Sequence, residues 1–158
     1  MTPFEMLAQK IVTDERAPTG VAGESMILTA RGEVRASDLR IGDRVVTRDA
    51  GMRLLRSIKT FRSTNAYRIR AGVVGVDRPT CDLLVTAGQR ILIRDWRAKA
   101  LFGVAQALVP ASRLADGHFI AREADADQTF FALRFDAPHI LYIDGLEAAS
   151  ASSAKVTA

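Results

Sequence analysis

The chain has 158 residues, one domain's worth, and 48% of them are hydrophobic against 25% charged. That balance belongs to a folded globular body, not to a disordered, collagen-like or coiled-coil chain, and no run of about 18 apolar residues is present to make a membrane-spanning helix. Twenty-two Lys and Arg against 18 Asp and Glu give +4, an excess too mild to argue for nucleic acid by itself.

The chain opens with a predicted helix over 3–12. Thr2 caps it, Pro3 suits the first helical position, and Glu5 completes a capping box. Phe4, Leu7, Ala8 and Ile11 share one face, as a helix docked on a neighbouring body would have them. No basic region followed by an apolar stretch occurs at this end, so no Sec-type signal peptide is expected; cytoplasm and signal-less secretion both stay open. Residues 13–24 are polar with Pro and Gly and read as a linker.

Strands follow. Met26–Thr29 runs into a turn at Ala30–Glu33 and then Val34; Ser37–Leu39 is one helical turn, and Ile41–Asp43 a bend. Arg44–Arg48 is a strand, Asp49–Gly51 a hairpin loop, and Met52–Phe61 one long returning strand. Tyr67–Arg70 alternates with the period of two expected of a half-buried strand. A loop marked by Gly72, Gly75 and Pro79 precedes two short apolar strands, Asp82–Thr86 and Arg90–Arg94, set around Ala87-Gly88-Gln89. A helical turn at Lys99–Phe102, strands at Ala107–Pro110 and Gly117–Ala121, and a last pair, Thr129–Asp136 and His139–Ile143, complete the body. Asp144-Gly145 reads as a turn, and residues 148–158, small and polar, as a disordered tail. Short strands with frequent turn signals and no long intervening helices predict an all-β fold.

Several chemistries are missing from the sequence. There is no phosphate-binding glycine loop, no dinucleotide fingerprint, no H-E-x-x-H zinc motif and no G-x-S-x-G nucleophile elbow. Cys81 is the single cysteine, so neither an internal disulfide nor a cysteine zinc cluster is expected, and with only His118 and His139 no metal site is either. No cofactor is implied. Cys81 reads as a small buried hydrophobe, and Trp96 as a ring packed over a strand end or an anchor for recognition.

Three segments carry a resemblance. Ser25–Asp49 contains Thr29, Gly32 and then Leu39-Arg40-Ile41-Gly42-Asp43-Arg44-Val45-Val46-Thr47-Arg48-Asp49. Ile69–Ile93 contains Ile69-Arg70-Ala71-Gly72 and Asp82-Leu83-Leu84-Val85-Thr86-Ala87-Gly88-Gln89-Arg90-Ile91-Leu92, and Phe135–Leu146 closes the series. In that order and spacing they resemble the bacterial subgroup of the Hint (Hedgehog/intein) domain family, over roughly residues 20–147. The resemblance implies a compact, disc-like β fold with its two ends close together, here preceded by the N-terminal helix and linker of residues 1–19. It also implies self-processing. In working members a nucleophile at the first position of the domain attacks the preceding carbonyl, a Thr orients the peptide, and a His protonates the leaving nitrogen, without a cofactor.

The chain departs from the family pattern at those residues. The nucleophile position falls near Gly20, which has no side chain to attack with, and no cysteine precedes Cys81. Thr86 keeps the Thr, but Gln89 stands where the His is expected, and an amide has no proton to give near neutral pH. The expected reading is a Hint-like domain that has lost autoprocessing, with Thr86, Gln89, Ser25 and His139 as vestigial site residues, acting as a binding or scaffolding module for a protein or peptide. A second reading is slow self-cleavage by the Ser25 hydroxyl with Thr86 and His139. A third is a basic nucleic-acid binder using Arg53, Arg56, Lys59 and Arg62; few aromatics interleave with them to stack bases, so nucleic acid is not the expected partner.

Overall fold

The structure, a computed structural model, describes residues 10–11, 18–123 and 127–151. Fifteen strands in the described residues make two sheets. They are β1 (Lys10–Ile11), β2 (Val21–Ala22), β3 (Met26–Thr29), β4 (Gly32–Arg35), β5 (Arg44–Thr47), β6 (Gly51–Leu54), β7 (Ser57–Ser63) and β8 (Ala66–Ile69). Then come β9 (Leu83–Thr86), β10 (Arg90–Ile93), β11 (Ala107–Pro110), β12 (Ile120–Glu123), β13 (Gln128–Arg134), β14 (Ile140–Ile143) and β15 (Leu146–Ala149). One sheet runs β1-β11-β10-β15-β14-β3-β5-β6 with β4 beside β3; the other runs β12-β8-β9-β2-β13-β7. The helices are short: α1 (Trp96–Phe102), α2 (Ala111–Leu114) and a 3-10 turn at Ala36–Asp38. The all-β class expected from the sequence is what is observed. Among the described residues no helix is long and apolar enough to cross a membrane.

Both sheets contribute to the core. Ile27, Val45, Ile91, Ile93, Leu141 and Ile143 enter it from the first sheet and Val21, Ile69, Leu83, Val85 and Leu133 from the second, all buried. Each such aliphatic side chain removed from water stabilises the fold by about 1.5–3 kcal/mol. The β14–β15 hairpin closes through Asp144 and Gly145, whose φ values of 49° and 81° are the left-handed pair a two-residue hairpin needs. Gly145 is also obligatory for space, because a Cβ there would lie 2.5 Å from the Asp77 carbonyl oxygen.

Five expectations are corrected. The helix predicted over 3–12 lies outside the described residues except at Lys10–Ile11, which form β1, paired in parallel with Ala107 and Leu108. Residues 21–22, read as linker, are β2, inserted between β9 and β13. The long strand from Met52 breaks at Leu55–Arg56. The Leu55 amide and carbonyl bond back to Asp43 and Gly42 while the Arg56 amide bonds to Arg134, so the chain crosses from one sheet to the other. Residues 117–119 form a turn rather than strand, gathered by Asp116 Oδ1, which accepts the amides of His118, Phe119 and Ile120 at 2.9, 2.8 and 3.0 Å.

The fifth correction concerns the tail. Residues 146–149 are β15, between β10 and β14, and Ala148, Ala149, Ser150 and Ala151 are buried. Small side chains there fit against close neighbours, with Ala148 opposite both Ile91 and Leu141. Residues 152–158 lie outside the described residues.

Candidate functional site

Gly20 and Thr86 meet. The Thr86 amide donates to the Gly20 carbonyl at 3.0 Å. The Thr86 hydroxyl reaches the Pro18 carbonyl at 2.8 Å and lies 3.3 Å from that of Gly20. Thr86 is placed by the end of β9, where Val85 pairs with Val21, so a short segment on each side of residue 20 is held against the strand. Gly20 is buried among aromatic rings. A Cβ added there would lie 3.0 Å from Phe61 Cζ and 3.2 Å from Phe130 Cβ.

Gln89 follows on the tight turn into β10, its amide bonded to the Thr86 carbonyl at 3.1 Å. Its side chain is buried, and Nε2 donates to the Ala149 carbonyl at 2.8 Å and the Arg90 carbonyl at 3.1 Å. Both amide hydrogens are therefore spent on backbone oxygens. Burial lowers the pKa of the Arg90 guanidinium alongside. Gln89 lines a cavity of about 10 Å3, room for one water, together with Thr19, Val21, Ala149, Ser150 and Ala151. The incoming segment near residue 19 and the outgoing segment near residue 150 thus share one small space.

His139 is joined to this site through backbone. Its amide donates to Ser150 Oγ at 3.0 Å and its carbonyl accepts the Ser150 amide at 2.8 Å. The ring instead meets Asp49, with Nδ1 3.0 Å from Oδ2, and packs edge-on to Phe135. Asp49 Oδ1 also accepts the Ile140 amide at 2.8 Å, so this buried carboxylate fixes both the ring and the start of β14. His139 is not among the residues that line the Gln89 cavity.

Ser25 is elsewhere. It is buried at the start of β3 and lines a separate open cleft of about 300 Å3 with Glu24, Arg68, Cys81, Asp82, Gln128 and Asp144. Cys81 is exposed here rather than buried, which corrects the expectation for it, because its strand begins two residues later at Leu83. Desolvation, then the Asp144 charge, pushes its thiol above the ordinary range. Desolvation likewise raises the Asp144 carboxyl, partly opposed by the Met26 amide. Trp96 is exposed on the first turn of α1, with the Arg97 guanidinium 5.1 Å from its ring centroid.

The sequence reading thus named four residues, of which Thr86 meets Gly20, Gln89 follows on the adjoining turn and shares a cavity with Thr19 and Val21, His139 attaches through Ser150, and Ser25 stands apart. It gave no site role to Asp49, quoted there as the end of the Leu39–Asp49 motif and as hairpin loop, nor to Ala149 and Ser150, read as tail. Glu147 was missed too; it is buried in β15 and binds Arg48 at 2.9 Å and Arg94 at 2.7 Å. The one available signal was a lone carboxylate in an otherwise small and apolar run. Among the described residues no group of three or more His, Cys, Asp or Glu could hold a metal ion.

Comparison with known proteins agrees with this architecture. The family model described as Hint domain matches residues 20–155. The fold is similar to the bacterial intein-like domain from Clostridium thermocellum, with TM-score 0.61 and 18% identity over 85% of this chain and 99% of that one. A DnaB intein from Synechocystis sp. PCC 6803 gives 0.60 and 15%, over 85% of this chain and 99% of that chain. The gp41-1 intein gives 0.52 and 10%, over 85% and 98%. No curated protein matches the chain.

Proposed function

Because the chain belongs to the Hint domain family, we propose that it is a Hint fold whose cutting site has become a fixed hydrogen-bonded closure, and that it serves as a binding or scaffolding module. One observation carries this reading. The resemblance puts the place of attack at Gly20, where Phe61 and Phe130 crowd the position of a Cβ at 3.0 and 3.2 Å, and the place of the proton donor at Gln89, whose side-chain amide is committed to two backbone carbonyls. Neither residue can supply what an acyl shift needs, a nucleophilic atom and a proton for the departing nitrogen. Thr86 remains useful without chemistry, because its hydroxyl and amide pin the segment at residues 18–20 to β9.

The placement of Ser25 in a cleft that shares no lining residue with the Gln89 cavity also favours the inert reading over self-cleavage by Ser25. The test is the mass of the intact chain after days of incubation with and without thiol or hydroxylamine. Unchanged mass is expected. A fragment cut near residues 19–25 would overturn the proposal, and Ser25→Ala would then show whether Ser25 made the cut.

A further inference from the structure

The two sheets share one open border. β6 ends the first sheet and β7 ends the second, and they are consecutive in the chain, so Gly51–Ser63 forms the outer edge of both. Each has one strand neighbour among the described residues, β5 and β13 respectively.

The direction of the free backbone groups along β6 follows from its neighbour. The Arg44 carbonyl accepts from Ala30 and the Arg48 amide donates to Ile140, so Arg44, Val46 and Arg48 face away from β6. The Asp43 carbonyl accepts from Leu55, so Asp43, Val45 and Thr47 face β6. With Val45 opposite Arg53 and Thr47 opposite Gly51, the ladder uses Gly51, Arg53 and Leu55. Met52 and Leu54 are left with amide and carbonyl pointing outward, two donors and two acceptors on a strand edge.

The side chains on this edge are apolar and basic. Met52 is 54% exposed and Leu54 40%, and Ile41, next to the Gly42 whose amide bonds the Leu55 carbonyl, is 69% exposed. Arg53, Arg56, Lys59 and Arg62 fall at every third position, and Gly51–Ser63 contains no Asp or Glu. Arg56 and Arg62 form exposed pairs with Asp136 and Asp127; among the described residues Arg44, Arg53 and Lys59 pair with no carboxylate.

We propose that the β6 edge is a docking site for an acidic, extended peptide segment, which adds as a further strand beside Met52 and Leu54. Backbone groups supply the strand pairing. Alternate side chains of the guest would meet the apolar Met52 and Leu54 on one face and Arg53 on the other, so an alternation of apolar and acidic residues fits. A second copy of this chain does not fit, because edge-to-edge pairing would set Arg53 and its neighbouring cations against their own likeness. This deepens the binding-module reading by naming the seat and the guest, on a surface distinct from the Thr86–Gln89 closure.

The test uses the full chain and a short fluorescent peptide of alternating Glu and Val, followed by anisotropy at low salt and by amide exchange. Saturable binding that weakens with salt and protects the Met52 and Leu54 amides is expected. Leu54→Pro removes an outward amide that the ladder does not use, so the fold should survive and affinity should fall about tenfold. Should that variant not fold, Arg53→Glu decides, with weaker binding of the Glu–Val peptide and a gain for a Lys–Val peptide. No binding of the peptide, undiminished binding by a folded Leu54→Pro variant, preference for an oligothymidylate, or self-association that protects the same amides would each overturn the proposal. Intact peptide binding by a chain that also cuts itself would instead overturn the inert reading alone.

Discussion

Thr86 holds Gly20 through its amide, which donates to the Gly20 carbonyl at 3.0 Å, while its hydroxyl, 3.3 Å from the same oxygen, is directed chiefly at Pro18. On the reading proposed above, this pair is the vacated nucleophile position held beside the Thr that would orient its peptide.

Restoring both missing groups should restore chemistry. Gly20→Cys together with Gln89→His is expected to give hydroxylamine-sensitive cleavage at the Thr19–residue 20 bond, while neither single variant does. The new Cβ must displace Phe61 by a few tenths of an ångström, so Gly20→Cys should cost about 1–3 kcal/mol of stability. Intact mass and urea denaturation read the two effects; cleavage by a single variant would mean the other group was never missing.

Gln89→Ala should destabilise the fold by roughly 1–3 kcal/mol, because the buried Ala149 carbonyl loses its side-chain donor. Gln89→Glu should be worse, since a carboxylate would face the two carbonyl oxygens that Nε2 now satisfies. Urea midpoints of the three proteins check the ranking.

Glu147→Ala should cost roughly 2–4 kcal/mol, since Arg48 and Arg94 both lose their buried partner. Substituting Leu for all three should recover part of that loss. A Glu147→Ala variant as stable as the parent in a thermal melt would rule out a structural role for the triad.

Asp144→Asn should speed alkylation of Cys81. The thiol is held above its ordinary value by desolvation first and by the Asp144 charge second, so removing the charge raises the thiolate fraction at any pH near 8. Iodoacetamide rates against pH should show the titration shifted to lower pH in the variant, with the desolvation part remaining.

The same substitution alters the pH dependence of stability. The Asp144 carboxyl is raised in the folded state by desolvation, so its contribution to stability is full below the unfolded carboxyl value and is lost as pH rises through the folded one. Asn removes that dependence and can keep an oxygen toward the Met26 amide. Relative to the parent, Asp144→Asn should therefore be more stable at pH 7 than at pH 3, measured by urea denaturation at both.

Strand existence was legible where apolar residues were large and turns carried Gly or Asp. Met26–Thr29, Arg44–Thr47, Leu83–Thr86 and Ile140–Ile143 are all strands at or near their expected bounds. What failed had a physical cause in each case. Val21–Ala22 is too short to show a period, and only its insertion between β9 and β13 makes it a strand. Ala148 and Ala149 carry little hydrophobic signal, yet small side chains are what that crowded position admits. The break at Leu55 is invisible in the sequence because no Gly, Pro, Asn or Asp marks residues 54–57. Thr86 and Gln89 could be named from the motif, but their partners could not. Pro18 and Ala149 act through backbone oxygens, and the Ser150 that holds His139 is one serine in a featureless run; such groups leave no mark on a sequence.

Thr19 and Val21 line the same small cavity as Ala149, Ser150 and Ala151. The stretch that leads into β2 and the stretch that follows β14 therefore lie side by side, although most of the sequence separates them. Loosening either stretch should therefore loosen the other, since each forms part of the wall that the other packs on.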